Sequence, residues 1–254
     1  MAARLRFLLF CVIVLGLPGG LMALGDPQSD DLGKLALILS PAVAGLILNL
    51  GLGKRAGPIQ WREVGGAALI TLSIVGLALA VSLLAGASTF AGMAYAPGRA
   101  AAAVGATLLT SVLEELGWAG GGLALALKAF GRRVGVLILG GVWATWHLVP
   151  AFFKIGLFPE LEAAPPLMLV VFVIACVIYR ELLTRFVERS GSWLGAAAGH
   201  AAPNIALTAL IALSGLVVLK NPQAWPLFPA PGGVVFAALV LAAVWMLWRR
   251  ETKS

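Results

Sequence analysis

Charge is what this chain of 254 residues has least of. Asp, Glu, Lys and Arg together make up 11% of it, against roughly 25% in an ordinary soluble domain. So little polar surface cannot cover a sequence that is 61% hydrophobic, and a water-soluble fold is excluded. Cysteine is nearly absent. Cys11 and Cys176 both sit inside apolar runs, which argues against a disulfide and for two small hydrophobes. Internal repeats and low-complexity tracts are missing as well. The net charge of +7 would point to nucleic acid in a soluble protein, but in an apolar chain the distribution of charge matters more than its sum.

What is present is a series of apolar stretches of the length needed to cross a bilayer, about 20 residues each. Eight can be drawn, at 6–24, 35–53, 66–87, 101–127, 134–153, 165–179, 193–219 and 230–248. The expected fold is therefore an all-α, polytopic transmembrane helical bundle of eight spans. It forms a single integral membrane domain over 1–254, with no room for an appended soluble domain. Arg4 and Arg6 before an apolar run also fit a signal peptide, but the run is long for one and the small-residue cleavage pattern near Met22–Gly25 is poor, so it is read as a span.

Assigning the connecting segments alternately to the two sides separates the basic residues. Arg4, Arg6, Lys54, Arg55, Arg62, Lys128, Arg132, Arg133, Arg180, Arg185, Arg189, Arg249, Arg250 and Lys253 fall on one side, and only Lys34, Arg99, Lys154 and Lys220 on the other. Fourteen against four is a strong positive-inside signal, which puts both termini in the cytoplasm. The basic excess is thus a topology signal, and no nucleic-acid partner is expected. Arg249 and Arg250, after Trp245 and Trp248, read as an interfacial anchor.

Of eleven acidic residues, nine lie in loops or at span ends, Asp26, Asp30 and the Glu160/Glu162 pair among them. The other two, Glu114 and Glu115, are adjacent in the middle of the fourth span. The only histidines, His147 and His200, fall in the fifth and seventh spans. A charged residue at the bilayer centre costs roughly 2.5–3.5 kcal/mol on insertion scales, and such residues mark functional sites. Spacing groups them, because residues four apart share a helix face. Trp143 pairs with His147, His200 with Asn204, and Glu114 with Trp118, while Glu115 is rotated by about 100°. Pro203 removes a backbone donor and frees the Gly199 carbonyl. The three helices are expected to turn these polar faces toward one interior point.

Two chemistries fit that set. A desolvated glutamate can take a proton from water attacking a peptide carbonyl, with histidine and asparagine donors stabilising the oxyanion. Alternatively Glu114, His147 and His200 hold a zinc ion whose bound water is the nucleophile. Other membrane-protease signatures are missing: there is no His-Glu-x-x-His, no Gly-x-Gly-Asp within a span, and no Gly-x-Ser-x-Gly. Trp118, Trp143 and Trp146 read first as packing residues.

Glu114-Glu115-Leu116-Gly117-Trp118, Trp143-x-x-x-His147 and His200-x-x-x-Asn204 occur in that order. The set resembles the CPBP intramembrane proteases (Abi-like), a family that includes type II CAAX prenyl endopeptidases and bacterial proteins linked to bacteriocin processing and self-immunity. The resemblance spans 114–204 and puts a motif-bearing protease core at about 100–220. It implies a multi-pass protein of a bacterial plasma membrane with Glu114 activating water. His147 would assist it, His200 and Asn204 would form the oxyanion site, and Glu115 and Trp143 would support them. Zinc stays open, as does the substrate, a protein or peptide that is prenylated or a leader. One departure stands out. The family motif Glu-Glu-x-x-x-Arg has its arginine where this chain has Ala119, so Glu115 must find another donor, Trp143 or a backbone group, or stay protonated; Arg180 near the end of the sixth span is a conceivable substitute. A catalytically impaired family member, or a non-enzymatic carrier using the Glu/His cluster, are the competing readings. The carrier is disfavoured because the polar groups have no counterpart in the first three spans.

Overall fold

The computed structural model of the chain describes residues 3–25, 31–48, 58–92, 95–218 and 220–251. Lys54, Arg55 and Lys253 of the basic set, Asp26 and Asp30 of the acidic set, and the side chain of Arg250 lie outside what is described.

Helices dominate. α1 (Ala3–Cys11) runs through a π turn (Val12–Gly16) into α2 (Leu17–Leu24), followed by α3 (Asp31–Leu48) and α4 (Trp61–Leu84). Then come α5 (Pro97–Gly117), a second π turn (Trp118–Gly122), α6 (Leu123–Phe153), the short α7 (Pro159–Glu162), α8 (Pro166–Ser190), α9 (Trp193–Ser214) and α10 (Val234–Glu251). Two short strands depart from the all-helical expectation. β1 (Thr89–Phe90) pairs antiparallel with β2 (Leu216–Val217), tying together the segments that follow α4 and α9.

Among the described residues six helical stretches are long and apolar enough to cross a membrane, and a shorter apolar helix covers Val234–Arg249. The chain is an all-α, multi-span membrane protein. The expected count of eight is not met by length alone, because two expected spans run together in the 57 residues Pro97–Phe153. That stretch is not one rod. Gly131 interrupts it with φ 74° and ψ 170°, a conformation open to glycine and strained for other residues. A Cβ on Gly135 would come within 2.7 Å of the Ala126 carbonyl oxygen, so the chain bends back on itself around Gly131. Exposed Leu8, Leu69, Leu77, Leu109, Leu137 and Leu167 point outward, as a lipid surround requires.

The first span is part of the core. Phe10 is fully buried and packs edge-on against Trp118, 5.4 Å between ring centroids. α5 lies against both α3 and α9. Its crossing with α3 is made by glycines: a Cβ on Gly121 would run into the Gly45 backbone, and one on Gly45 would come within 2.9 Å of Gly117. Small residues spaced by four permit this approach between membrane helices.

Two prolines inside helices hand a carbonyl to another helix. Pro41 leaves the Leu37 carbonyl without its helical donor, and the Trp146 indole N–H donates to it at 3.2 Å. Pro203 does the same to Gly199, whose carbonyl accepts from the Tyr179 hydroxyl at 2.8 Å. The opening at Gly199 was expected from sequence; the occupant was not.

At one end of the bundle an ion-pair cluster joins helix ends. Arg132 reaches Glu181 at 3.0 Å and Glu188 at 2.8 Å, Arg185 meets Glu181 at 2.8 Å, and Arg189 meets Glu63 at 2.7 Å.

The glycine crossing generates a prediction. Gly121→Leu forces side-chain volume into the α3 backbone, and overpacking of this kind costs about 1–3 kcal/mol. Thermal unfolding of the purified variant in detergent should show a clearly lowered Tm, whereas Gly141→Ala, with open space around it, should leave Tm unchanged.

Candidate active site

The helix crossings bring the polar faces of α5, α6 and α9 to one cavity of about 520 Å³, lined among others by Glu114, Trp143, His147, His200 and Asn204. α5 supplies the two glutamates at its last turn, where the backbone widens into the π turn at Trp118. The Trp118 N–H still bonds the Glu114 carbonyl, so the two residues stay one helical turn apart. Glu114 lines the cavity, and Trp118 is buried between Phe10 and Trp146, which itself lines the cavity.

Glu115 turns away from the cavity and is fully buried. Its carboxylate accepts from both terminal nitrogens of Arg180, Nη1 to Oε2 at 2.8 Å and Nη2 to Oε1 at 3.0 Å. His200 Nδ1 donates to the same Oε1 at 3.0 Å. Arg180 is 1% exposed, and its guanidinium carbon lies 4.3 Å from the centre of the Trp143 ring, a cation–π contact. Arg180 was assigned to the cytoplasmic loops in the charge count, and that is corrected. The helix Pro166–Ser190 continues eleven residues past the expected end of the sixth span at 179, and the arginine is a buried partner within it.

Each hydrogen bond fixes a tautomer. A carboxylate or a carbonyl only accepts, so the nitrogen facing it carries the proton. His200 therefore bears its proton on Nδ1, toward Glu115. His147 bears its own on Nδ1, which donates to the Trp143 carbonyl at 2.9 Å. In both rings Nε2 remains as the nitrogen for the cavity. The Trp143 ring stands edge-on to both imidazoles, at 5.0 Å from His147 and 5.4 Å from His200. It is more than a packing residue, because it orders both histidines and covers the arginine. Asn204 Nδ2 donates to Ser111 Oγ at 3.3 Å, which orients the amide. Glu114 Oε2 and Trp143 Nε1 are buried in the cavity wall and, among the described residues, make no hydrogen bond of good geometry, although the two side chains are near enough to interact.

Residues 96–206 match the family model described as type II CAAX prenyl endopeptidase, Rce1-like. The chain carries an Rce1-like region. The match covers 111 of 254 residues and contains every site residue named above. No curated protein matches the chain.

Within the Rce1-like region the partner missing at Ala119 is supplied across the bundle. Arg180 reaches Glu115 from α8 rather than from the next turn of the same helix. Among the described residues no group of three His, Cys, Asp or Glu side chains is placed to hold a metal ion. Nδ1 of His200 faces Glu115 and Nδ1 of His147 faces a carbonyl, which leaves Nε2 of both rings for the cavity. Tyr179 and Ser111 were missed from sequence, because a tyrosine or serine in an apolar helix carries no spacing signal of its own.

Removing one partner of a buried pair strands the other charge and costs about 3–5 kcal/mol. Arg180→Met should therefore lower the unfolding temperature sharply. The double variant Arg180→Met with Glu115→Leu, which removes both charges, should recover most of the loss in the same thermal assay.

Proposed function

We propose that the protein is an integral-membrane endopeptidase that hydrolyses a peptide bond with water activated by Glu114. The observation that carries this reading is the meeting of Glu114, His147, His200 and Asn204 on one cavity, with Glu115 already neutralised by Arg180. Glu114 alone of the two carboxylates is left with an oxygen that makes no hydrogen bond of good geometry among the described residues. It takes a proton from water as the water oxygen bonds to the scissile carbonyl carbon. The oxyanion that forms accepts from Asn204 Nδ2 and from His200 Nε2 when that ring carries both its protons. Preorganised donors of this kind are often the largest catalytic contribution. As the C–N bond breaks, Glu114 returns the proton to the leaving nitrogen, giving a carboxylate and an amine. His147 Nε2 orients the water. The arginine missing at Ala119 was the reason to consider an impaired enzyme, and Arg180 removes that reason.

The same reading takes the whole of 1–254 as one membrane domain with its hydrolytic core at about 100–220. It counts eight crossings, dividing Pro97–Phe153 at Gly131 and including the apolar helix Val234–Arg249. A straight helix of 57 residues would be about 85 Å long, nearly three times the bilayer core of about 30 Å. With Arg180 set aside, thirteen of the remaining seventeen basic residues lie on the side of the termini, which orients both termini to the cytoplasm of a bacterial plasma membrane. The substrate is a protein or peptide, prenylated or a leader.

Glu114→Gln keeps the shape and removes the base. General-base catalysis contributes about 10²–10⁴-fold, so substrates that accumulate in membranes lacking the protein should accumulate equally with Glu114→Gln. Comparison of the membrane proteomes of the deletion, wild-type and variant strains makes the test. Normal processing by a Glu114→Gln protein defeats the proposal.

A further inference from the structure

The cavity is polarised along the bundle axis. On α9 it begins at His200, in the second turn, and extends past Leu207 and Thr208 to Ile211 in the last, a rise of about 16 Å. Its walls grade the same way. Trp143, Tyr179 and His200 at the inner end are at most 4% exposed, whereas Ile211 is 39% exposed and Glu160 is exposed. The outer end is bordered by the segments 157–161 and 228–231, on the side where β1 and β2 tie the ends of α4 and α9.

The basic cluster lies at the other end of the same helices. Arg185 and Arg189 occupy the last turns of α8, Arg132 is clamped to Glu181 and Glu188 beside them, and Arg189 holds Glu63 at the start of α4. Lysine and arginine concentrate on the cytoplasmic side of a membrane protein. The closed end of the cavity therefore faces the cytoplasm, and the mouth faces away from it. The lining there is mostly apolar, with Leu157, Phe158, Leu161, Leu207, Ile211 and Phe228 beside Thr208. Among the described residues no lysine or arginine lines it, and Glu160 is the acidic residue at the rim.

We propose that the cavity opens to the non-cytoplasmic face and admits an apolar stretch of polypeptide from that side, so that the substrate is an exported or translocated peptide. A substrate confined to the cytoplasm would meet the closed, ion-paired end. This inference rests on the hydrolytic reading for the bond that is cut and on the charge asymmetry for its direction.

Single cysteines in a background of Cys11→Ala and Cys176→Ala test it, using a charged, membrane-impermeant maleimide. The sites are Ile211→Cys at the mouth, Arg99→Cys at the start of α5 on the same side, and Arg133→Cys at the basic end. In intact cells I211C and R99C should label and R133C should not; inverted vesicles should reverse the pattern. Labelling of I211C only in inverted vesicles, or from neither side until the protein is denatured, overturns the proposal. A Leu/Phe-rich decapeptide added outside should slow I211C labelling several-fold and leave R99C unchanged, and an unaltered I211C rate overturns the substrate class. The labelling does not need turnover. Repeating it in E114Q, where protection should persist without cleavage, keeps failure of the access route distinct from failure of the hydrolytic reading.

Discussion

Everything at the centre of this bundle depends on the pairing of Arg180 with Glu115. Two charges at membrane depth are sustained only if they are paired, and here the bidentate geometry pairs them while Trp143 covers the guanidinium face. The pair links α5 to α8, and Oε1, shared between Arg180 and His200, holds His200 on α9. One carboxylate thus sets the relative position of three helices and the tautomer of a histidine. Its neighbour in sequence, Glu114, is left with a different environment. Adjacent identical residues acquire different tasks because one is saturated by the protein and the other faces the cavity.

The backbone around that pair is shaped by small residues and by a local change of helical pitch. Gly45, Gly117 and Gly121 bring α3 and α5 into backbone contact. The π turn begins at Trp118, whose indole joins the core between Phe10 and Trp146. π turns of this kind recur at functional sites because the extra residue shifts side chains off their regular face.

Much of this was legible from sequence. Scarcity of charge fixed the medium, and the few polar residues left at membrane depth are those that meet around the cavity. Periodicity correctly paired Trp143 with His147, and the chemistry of Pro203 correctly exposed the Gly199 carbonyl. The misses have physical causes. Helical spacing pairs Glu114 with Trp118, but the indole is buried between Phe10 and Trp146, and the local sequence does not say which neighbours fill that space. The sixth span was cut at Arg180 because a guanidinium ends an apolar run; its partner lies 65 residues away, and such a partner is visible only in three dimensions. The direction of each ring nitrogen is likewise decided by neighbours outside the motif, a carboxylate for His200 and a carbonyl for His147.

The two interrupted helices carry a consequence for how this sequence can drift. At Pro203 and at Pro41 the orphaned carbonyl is capped by an aromatic donor belonging to a different helix, Tyr179 in one case and Trp146 in the other. Restoring an ordinary residue at either proline returns the carbonyl to its own ladder and strands a hydroxyl or indole in lipid-like surroundings. Losing Tyr179 strands the Gly199 carbonyl instead, whereas the Leu37 carbonyl keeps the Ser40 hydroxyl at 3.1 Å. Each proline and its distant ring are therefore bound to mutate in concert, and these couplings join positions that lie far apart along the chain.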